Sequence, residues 1–461
     1  MLIAILTHWA TWMHLSMSIL GLLLYVASTH ALQQRRHPAA AMSWILSFFF
    51  VPYLALPAYF FFGQRKMALT SRIGSAHGSG PPPADGRGQW LSSMLQTLGA
   101  APSRDGVGLT LHHDGGEAEQ ALWATMDRAE HSIHVCTYLI GDDRIGRLLI
   151  ERLAAHAARG IDVRLLLDGV GGLLVRRHRL APLLKAGGHV ARAFPPLRRL
   201  LHRQSNFRNH RKQVVVDARH LWMGGRNFAD EYFVGSAHQP AWIDLSLHVS
   251  GDVARDAQAV FLADWRLATG VDAPLPRFDQ PAASGRELQL VASGPDQSQD
   301  GLQALLVTGC YRAQSRIRIV TPYLIPDPAL QQALGLAARR EVAVDIVLPA
   351  RSNHVLADAA RHRALRELAA AGVSVWLVPD MVHGKAVVFD DVALAGSANL
   401  DIRSLFLNFE LTMVLYEPRV AEDLAQWIDR LRADAQPYQP QPVSMLRDLY
   451  EGAVLWLGFQ L

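Results

Sequence analysis

The chain has 461 residues, half of them hydrophobic and only 19% charged, with a formal net charge of +4. That length is too great for one compact domain and fits two or three, with apolar residues to spare for a large core or a membrane segment. The two cysteines, Cys136 and Cys310, both lie in apolar runs, which excludes a disulfide framework or a cysteine metal site and leaves buried, inert thiols.

Residues 3–31 are almost wholly apolar, and no Lys or Arg precedes Arg35. The run has no basic start and is longer than the apolar part of a secretory signal. About 20 helical residues cross a bilayer, so this run predicts a first transmembrane helix. His8 and His14 then lie near its outer part or face a neighbour. A polar hinge at 33–38 leads to a second apolar span, 41–62, kinked by Pro52 and Pro57 and anchored at the interface by Trp44 and Tyr59. Arg65, Lys66 and Arg72 flank the hairpin on the side of the amino terminus. By the positive-inside rule this points to a multi-pass anchor with a cytoplasmic body.

Residues 74–88 are rich in Gly, Ser and Pro and read as a flexible tether. The expected division is a hairpin over 1–66, a linker over 67–105, two halves over 106–275 and 276–436, and an apolar tail over 437–461 that packs on the body or lies on the membrane.

The two halves repeat each other. The strand-like run 132–140 resembles 316–325, and each is followed by a helical stretch, at about 144–158 and 328–340, and a further apolar strand at 163–167 or 344–348. Later, 242–247 resembles 408–413. Strands alternating with helices predict an α/β sandwich in each half.

The repeat carries a motif. His210, Lys212 and Asp217 are followed by Gly224-Gly225-Arg226-Asn227; His383, Lys385 and Asp390 are followed by Gly396-Ser397-Ala398-Asn399. Each copy reads H-x-K, four mostly apolar residues, D, a short gap, then G-[GS]-x-N. On a strand, residues two apart share a face, so each His should point with its Lys. Asp217 and Asp390 sit at an odd offset and should turn away, tying down the strand end. The Gly-x-Asn loops bring Asn227 and Asn399 within reach of a ligand.

One site built from both copies offers two imidazoles, two ammonium groups and two amides, with no carboxylate cage for a metal. This predicts phosphoryl transfer without metal or other cofactor, the lysines supplying the positive charge. Two histidines suit two steps: one neutral imidazole attacks phosphorus, the other gives and takes the alcohol proton. Opposite protonation requirements predict a bell-shaped pH profile. A nucleophilic imidazole needs its second nitrogen held, and Asp244 and Glu410, at matching places in the repeat, are the candidates, with Glu231 as a weaker one.

The copies differ at one place. Fourteen residues separate Pro195 from His210, but three separate Pro379 from His383. The extra segment carries Arg198, Arg199, Arg203 and Arg208 and lies in an acid-free stretch between Asp168 and Asp217. Such a field suits phosphate or an anionic membrane surface, at roughly 1 kcal/mol per basic residue near the surface.

The duplicated motif resembles the phospholipase D superfamily. The two apolar spans, the Arg35-Arg36-His37-Pro38 hinge and the run from Gly396 through Glu410 resemble the bacterial cardiolipin synthases. The resemblance implies that His210, Lys212, Asp217, His383, Lys385 and Asp390 are the catalytic motif residues of one active site between the halves. It implies transfer of a phosphatidyl group from one phosphatidylglycerol to another with release of glycerol, and by analogy His210 as nucleophile and His383 as acid and base. The implied partners are an anionic phospholipid and the membrane, not nucleic acid. A phospholipase using water or another acceptor alcohol, a nuclease and an inactive scaffold are the rival readings. In one respect the second copy departs: Asp390 to Gly396 is one residue shorter than Asp217 to Gly224.

Overall fold

The structure is a computed structural model, and it describes residues 2–31, 38–67, 89–195, 206–236, 239–273, 286–447 and 451–452. Arg198, Arg199 and Arg203 of the basic insertion, most of the 67–105 segment and the last residues of the tail lie outside the described residues.

Each half carries seven equivalent strands. In the first they are β1 (Arg104–His112), β2 (Ser132–Thr137), β3 (Asp162–Asp168), β4 (His189–Ala193), β5 (Gln213–Val216), β6 (His220–Gly224) and β7 (Ser246–Gly251), in the spatial order β4-β3-β2-β5-β6-β7-β1. In the second they are β8 (Arg286–Ser293), β9 (Arg316–Val320), β10 (Ala343–Pro349), β11 (Ser374–Val378), β12 (Ala386–Phe389), β13 (Val392–Gly396) and β14 (Asn408–Leu415), in the same order, β11-β10-β9-β12-β13-β14-β8. The first three strands after the leading one are parallel and joined by helical crossovers; the others pair antiparallel.

The two α/β halves share one sheet. β1 and β8 pair antiparallel from Arg104↔Leu288 to Gly106↔Arg286, joining the two halves into one 16-stranded sheet; Leu324–Ile325 and Leu400–Asp401 pair separately. Past Gln213 the motif strands are wholly apolar because they are covered on both faces. Val214 and Val216 pack with Leu149 and Trp222 of the first half. Val215, between them, belongs to a second core with Val388, Leu411 and Trp427, so apolar side chains of both halves share one interior.

The β5–β6 and β12–β13 turns place Asp217 at φ +53° and Asp390 at φ +48°. Both are left-handed positions that Asp tolerates better than bulkier residues. The Asp217 carboxylate accepts the backbone N–H groups of Glu130, His131 and Ser132 at 2.8, 2.9 and 2.6 Å. The Asp390 carboxylate accepts those of Gln314, Ser315 and Arg316 at 2.8, 2.9 and 3.0 Å. Each carboxylate thus pins its turn to the entry of the neighbouring parallel strand.

The amino-terminal region differs from its expectation in two ways. Leu2–Ala31 is one long helix, and its 8–30 stretch is long and apolar enough to cross a membrane. The second span is instead two short helices, Pro38–Phe50 and Pro52–Phe62, broken at Val51. Pro52 has no N–H to continue the first of them and starts the second. His14 Nε2 donates to the Phe49 carbonyl at this break, at 2.9 Å. Trp44 and Tyr59 are not interface anchors: they pack edge to face, centroids 4.9 Å apart, in an aromatic core with Tyr25 and Phe48.

The 67–105 segment is not all linker. Gln89–Thr97 is a helix whose Leu91 and Leu95 are buried in the core of the second half, among Leu302, Leu305 and Ile317. In the tail, Gln436–Pro437 pairs with β11, and the buried Glu451 forms ion pairs with Arg366 and Arg447, while Met445 and Leu446 are exposed.

Candidate active site

Both H-x-K runs lie just outside their strands. β5 begins at Gln213 and β12 at Ala386, each one residue after the lysine. Each lysine still reaches its histidine, but strand alternation is not what brings them together. The runs are held instead by the opposite half. The short strand Arg208–Asn209 pairs in parallel with Asn408–Phe409 at the start of β14, and His210 N–H donates to Phe409 O at 2.9 Å. In mirror fashion Ile243 bridges Val382, and the N–H groups of His383 and Gly384 donate to Ile243 O at 2.7 and 3.0 Å.

The side chains repeat this exchange. His210 Nδ1 donates to both Glu410 oxygens, at 2.9 and 3.0 Å. His383 Nδ1 donates to Asp244 Oδ2 at 2.7 Å. The carboxylates expected to orient the histidines do so crosswise, each serving the imidazole of the other half. Glu231 does not share the role: its carboxylate makes no hydrogen bond to either imidazole, and its backbone carbonyl accepts Trp242 N–H.

The carboxylates are themselves braced, by different means. Ser397 Oγ donates to Glu410 Oε2 at 2.6 Å. The matching residue, Gly225, has no side chain, and a Cβ there would fall 2.1 Å from Asp244 Oδ1. Asp244 takes the Leu245 N–H at 2.7 Å instead. The buried Arg226 donates to the backbone carbonyls of Asp244, His112, His113 and Tyr232, which fixes the loop that carries Asp244. Arg211, between His210 and Lys212, is fully buried against Asp264 at 2.5 Å and also donates to Glu410 O.

Lys212 and Lys385 are buried, and each donates its ammonium to the backbone carbonyl of its own motif histidine. Lys385 Nζ also lies 2.8 and 3.0 Å from the two ring nitrogens of His383. With Nδ1–H committed to Asp244, the acceptor for that ammonium is Nε2. His210 differs: its Nε2 makes no hydrogen bond among the described residues, and its side chain keeps 14% exposure.

Burial sets the protonation states. It lowers the Lys212 ammonium to about 8 and the Lys385 ammonium to about 7, against the pull of the nearby carboxylates. Burial, seconded by Lys385, pushes His383 down to about 3; His210 is also lowered by burial, against Glu410. For Asp244 and Glu410 burial acts upward, but the imidazoles and ammonium groups outweigh it and keep both carboxylates anionic. The resting site thus holds two neutral imidazoles, each with Nδ1–H on a carboxylate, and two ammonium groups whose protons are easily given up.

Asn227 and Asn399 flank this centre. Both are buried, Asn227 Nδ2 donates to Tyr232 OH at 2.9 Å, and the Oδ1 atoms of both lack a partner. Arg208, the described residue of the basic insertion, donates to Phe207 O at 2.6 Å and lies close enough to Arg403 for their charges to repel.

The motif reading missed the aromatic walls. The Tyr138 ring meets His210 edge to face at 5.4 Å and has Lys212 Nζ 5.8 Å from its centroid. Tyr232 and Trp242 pack on His383 at 5.0 and 5.5 Å. Tyr138 had a visible signal: the repeat places Tyr323 at the corresponding position, after Thr321 as Tyr138 follows Thr137.

Comparison with known proteins gives the family. The model described as cardiolipin synthase, phospholipase D-like domain, matches residues 122–265 and 309–432, and a phospholipase D-nuclease amino-terminal model matches 21–64. The chain is 32% identical over 446 residues to cardiolipin synthase A of Pseudomonas entomophila, covering 89% of this chain and 90% of that one. It is 30% identical over 419 residues to cardiolipin synthase 1 of Bacillus anthracis, covering 85% and 82%. Among solved structures, the phosphatidylserine synthase of Haemophilus influenzae Rd KW20 shares the fold, with a TM-score of 0.61, 16% identity and coverage of 80% of this chain and 99% of that one. With its tandem domains, its relatives along most of the chain and an apolar amino-terminal helix, the chain belongs to the membrane-associated cardiolipin synthases, phosphatidyltransferases of the phospholipase D type.

Proposed function

We propose that the chain joins two phosphatidylglycerol molecules into cardiolipin through a phosphatidyl-histidine intermediate. His210 Nε2 attacks the phosphorus of the first lipid and forms a P–N bond. The P–O bond to the glycerol headgroup breaks, and the Lys385 ammonium passes a proton through His383 Nε2 to the leaving oxygen. In the second step His383 accepts the proton of the headgroup hydroxyl of another phosphatidylglycerol and returns it to Lys385, that oxygen attacks phosphorus, and the P–N bond breaks. Glycerol leaves in the first step and cardiolipin in the second.

The observation that carries this reading is the difference between two otherwise mirrored histidines. His210 has Nδ1–H on Glu410 and an unoccupied Nε2, as a nucleophile requires. His383 has Nδ1–H on Asp244 and the Lys385 ammonium against its ring, 2.8 Å from Nδ1 and 3.0 Å from Nε2, as a group that relays a proton requires. Lys212 and Lys385 stabilise the charge on the phosphoryl oxygens, and Asp217 and Asp390 serve the fold. Arg198, Arg199, Arg203 and Arg208 draw the anionic headgroup to the site. The amino-terminal helices form a multi-pass anchor that keeps the body on the cytoplasmic face.

Incubation with phosphatidylglycerol alone, followed by thin-layer chromatography, tests the substrate. Cardiolipin and free glycerol are the expected products. Phosphatidic acid without cardiolipin would reject the acceptor and leave a hydrolase.

A further inference from the structure

Three apolar side chains stand in solvent at equivalent places of the repeat. Leu173, in the one-turn helix Gly171–Leu174 after β3, is 62% exposed. Val355 and Leu356, after β10, are 81% and 63% exposed. A lone exposed leucine is ordinary on a protein surface. Here the same structural position is apolar in both halves, and both positions adjoin the active site.

The contacts show that adjacency. Gly171, two residues before Leu173, packs on Tyr138 so closely that a Cβ would fall 2.2 Å from Tyr138 O, and Tyr138 walls His210. His354, next to Val355, meets the ring of Tyr323 at 5.4 Å. Tyr323 is near enough to Tyr232 to act on it electrostatically, and Tyr232 walls His383.

Charge separates a membrane from other apolar partners. Arg176 and Arg177 beside Leu173, and Arg351 beside Val355, are exposed. No Asp or Glu occurs from 169 to 216 or from 346 to 357. Apolar tips rimmed by basic side chains suit an anionic bilayer surface, where the tips enter the acyl boundary and the guanidinium groups meet phosphates. The anchor joins the body nearby: Arg65 and Lys66 pair with Asp300, and Met67 N–H donates to Pro295 O, two residues beyond the Ser293 carbonyl that Arg211 holds.

We propose that the one-turn helix bearing Leu173 and the helix start bearing Val355–Leu356 are two prongs that dip into the bilayer on either side of the site. The anchor keeps the body at the membrane, and the prongs turn the site toward the lipid headgroups. This goes beyond the choice of substrate and rests only on the chain acting at a membrane.

Cys136 and Cys310 are buried, so a probe can be attached at a new cysteine. Full-length Leu173→Cys, Val355→Cys and Arg339→Cys chains, labelled with an environment-sensitive fluorophore, are reconstituted into phosphatidylglycerol-containing vesicles with or without nitroxide-bearing acyl chains. Arg339 ends the helix Pro328–Arg339, at the end of the second half opposite Val355. Probes at 173 and 355 should lose most of their emission to the nitroxide, and the probe at 339 should keep its own. If labelling at 355 disturbs folding, Leu356→Cys carries the probe instead. Unquenched emission at either prong, or equal quenching at all three sites, overturns the proposal. The readout needs no turnover, so quenched prongs on a chain that makes no cardiolipin would contradict the substrate reading and leave this one standing.

Discussion

Glu410 belongs to the second half and His210 to the first, yet the Glu410 oxygens take the Nδ1 proton of His210 at 2.9 and 3.0 Å. Asp244 returns the arrangement, holding His383 at 2.7 Å. Neither half contains both members of a histidine–carboxylate pair. The backbone contacts His210–Phe409 and His383–Ile243 make the same exchange, so main chain and side chain fix each imidazole together.

Removing either carboxylate charge therefore disables a histidine without touching it. Glu410→Gln and Asp244→Asn keep the shape but favour the wrong tautomer and no longer stabilise an imidazolium. Each is expected to lower kcat by about 10³- to 10⁴-fold with little change in KM. Steady-state kinetics beside a thermal melt check this; a loss that tracks the melt would mean that the carboxylates only hold the fold.

The braces behind the carboxylates predict unequal effects at matching loop positions. Ser397→Gly removes one hydrogen bond to Glu410, worth about 1–2 kcal/mol, and should slow turnover roughly 5- to 30-fold. Gly225→Ser inserts a side chain whose Cβ falls 2.1 Å from Asp244 Oδ1. It must displace Asp244 from His383, and activity should fall to near background. Similar rates for the two variants would contradict the packing.

The pH profile follows from the buried ammonium groups. Burial lowers Lys385 to about 7 and Lys212 to about 8, so both lose charge as pH rises through that range. kcat/KM should fall over the same window, well below the ordinary lysine range. The acid limb should lie below the ordinary imidazole value of about 6.5, because burial disfavours the imidazolium. Lys212→Arg keeps its charge at all these pH values and should move the part of the alkaline limb set by Lys212 upward, whereas Lys385→Arg cannot resupply His383 with a proton and should lose most of the rate. An alkaline limb unmoved by Lys212→Arg, together with near wild-type turnover by Lys385→Arg, would assign it to another group.

Asp390 is expected to affect stability rather than chemistry. Its carboxylate takes three backbone N–H groups, and Asp390→Asn should cost about 1–3 kcal/mol with activity per folded molecule retained. Its pKa is lowered: burial opposes the shift, but the N–H groups outweigh it. A depressed carboxylate contributes stability that is full above its unfolded pKa and is lost as pH falls through the folded one. The gap between wild-type and Asp390→Asn melting temperatures should thus be widest near neutrality and shrink in acid. A gap that grows in acid would show the carboxylate protonated in the fold.

Much of this was legible in the chain because it is repeated. Two copies of H-x-K placed the candidate catalytic groups, and matching positions after each Gly-x-Asn loop pointed to Asp244 and Glu410 as partners of the histidines. The crosswise pairing was not legible, since no local pattern tells which half a side chain will meet. The displacement of the H-x-K runs from their strands had the same cause: valines at 214–216 mark β5, but the pull of β14 on Arg208–Asn209 is a contact between distant segments. Trp44 and Tyr59 read as interface anchors because aromatic residues near the ends of a span usually are; the break at Val51 folds them inward instead. The helix Gln89–Thr97 is too short and polar to stand out beside a Gly/Pro-rich run, and it is stable only because Leu91 and Leu95 find the second core.

The central claim is that lipid is carried on His210 while His383 moves the proton. Rapid alkaline quenching of the enzyme with phosphatidylglycerol, followed by peptide mass spectrometry, tests it directly, because a P–N bond survives base. The account predicts a phosphatidyl group on the peptide containing His210 and none on the peptide containing His383. An adduct on His383, or cardiolipin formation by His210→Ala, would contradict it.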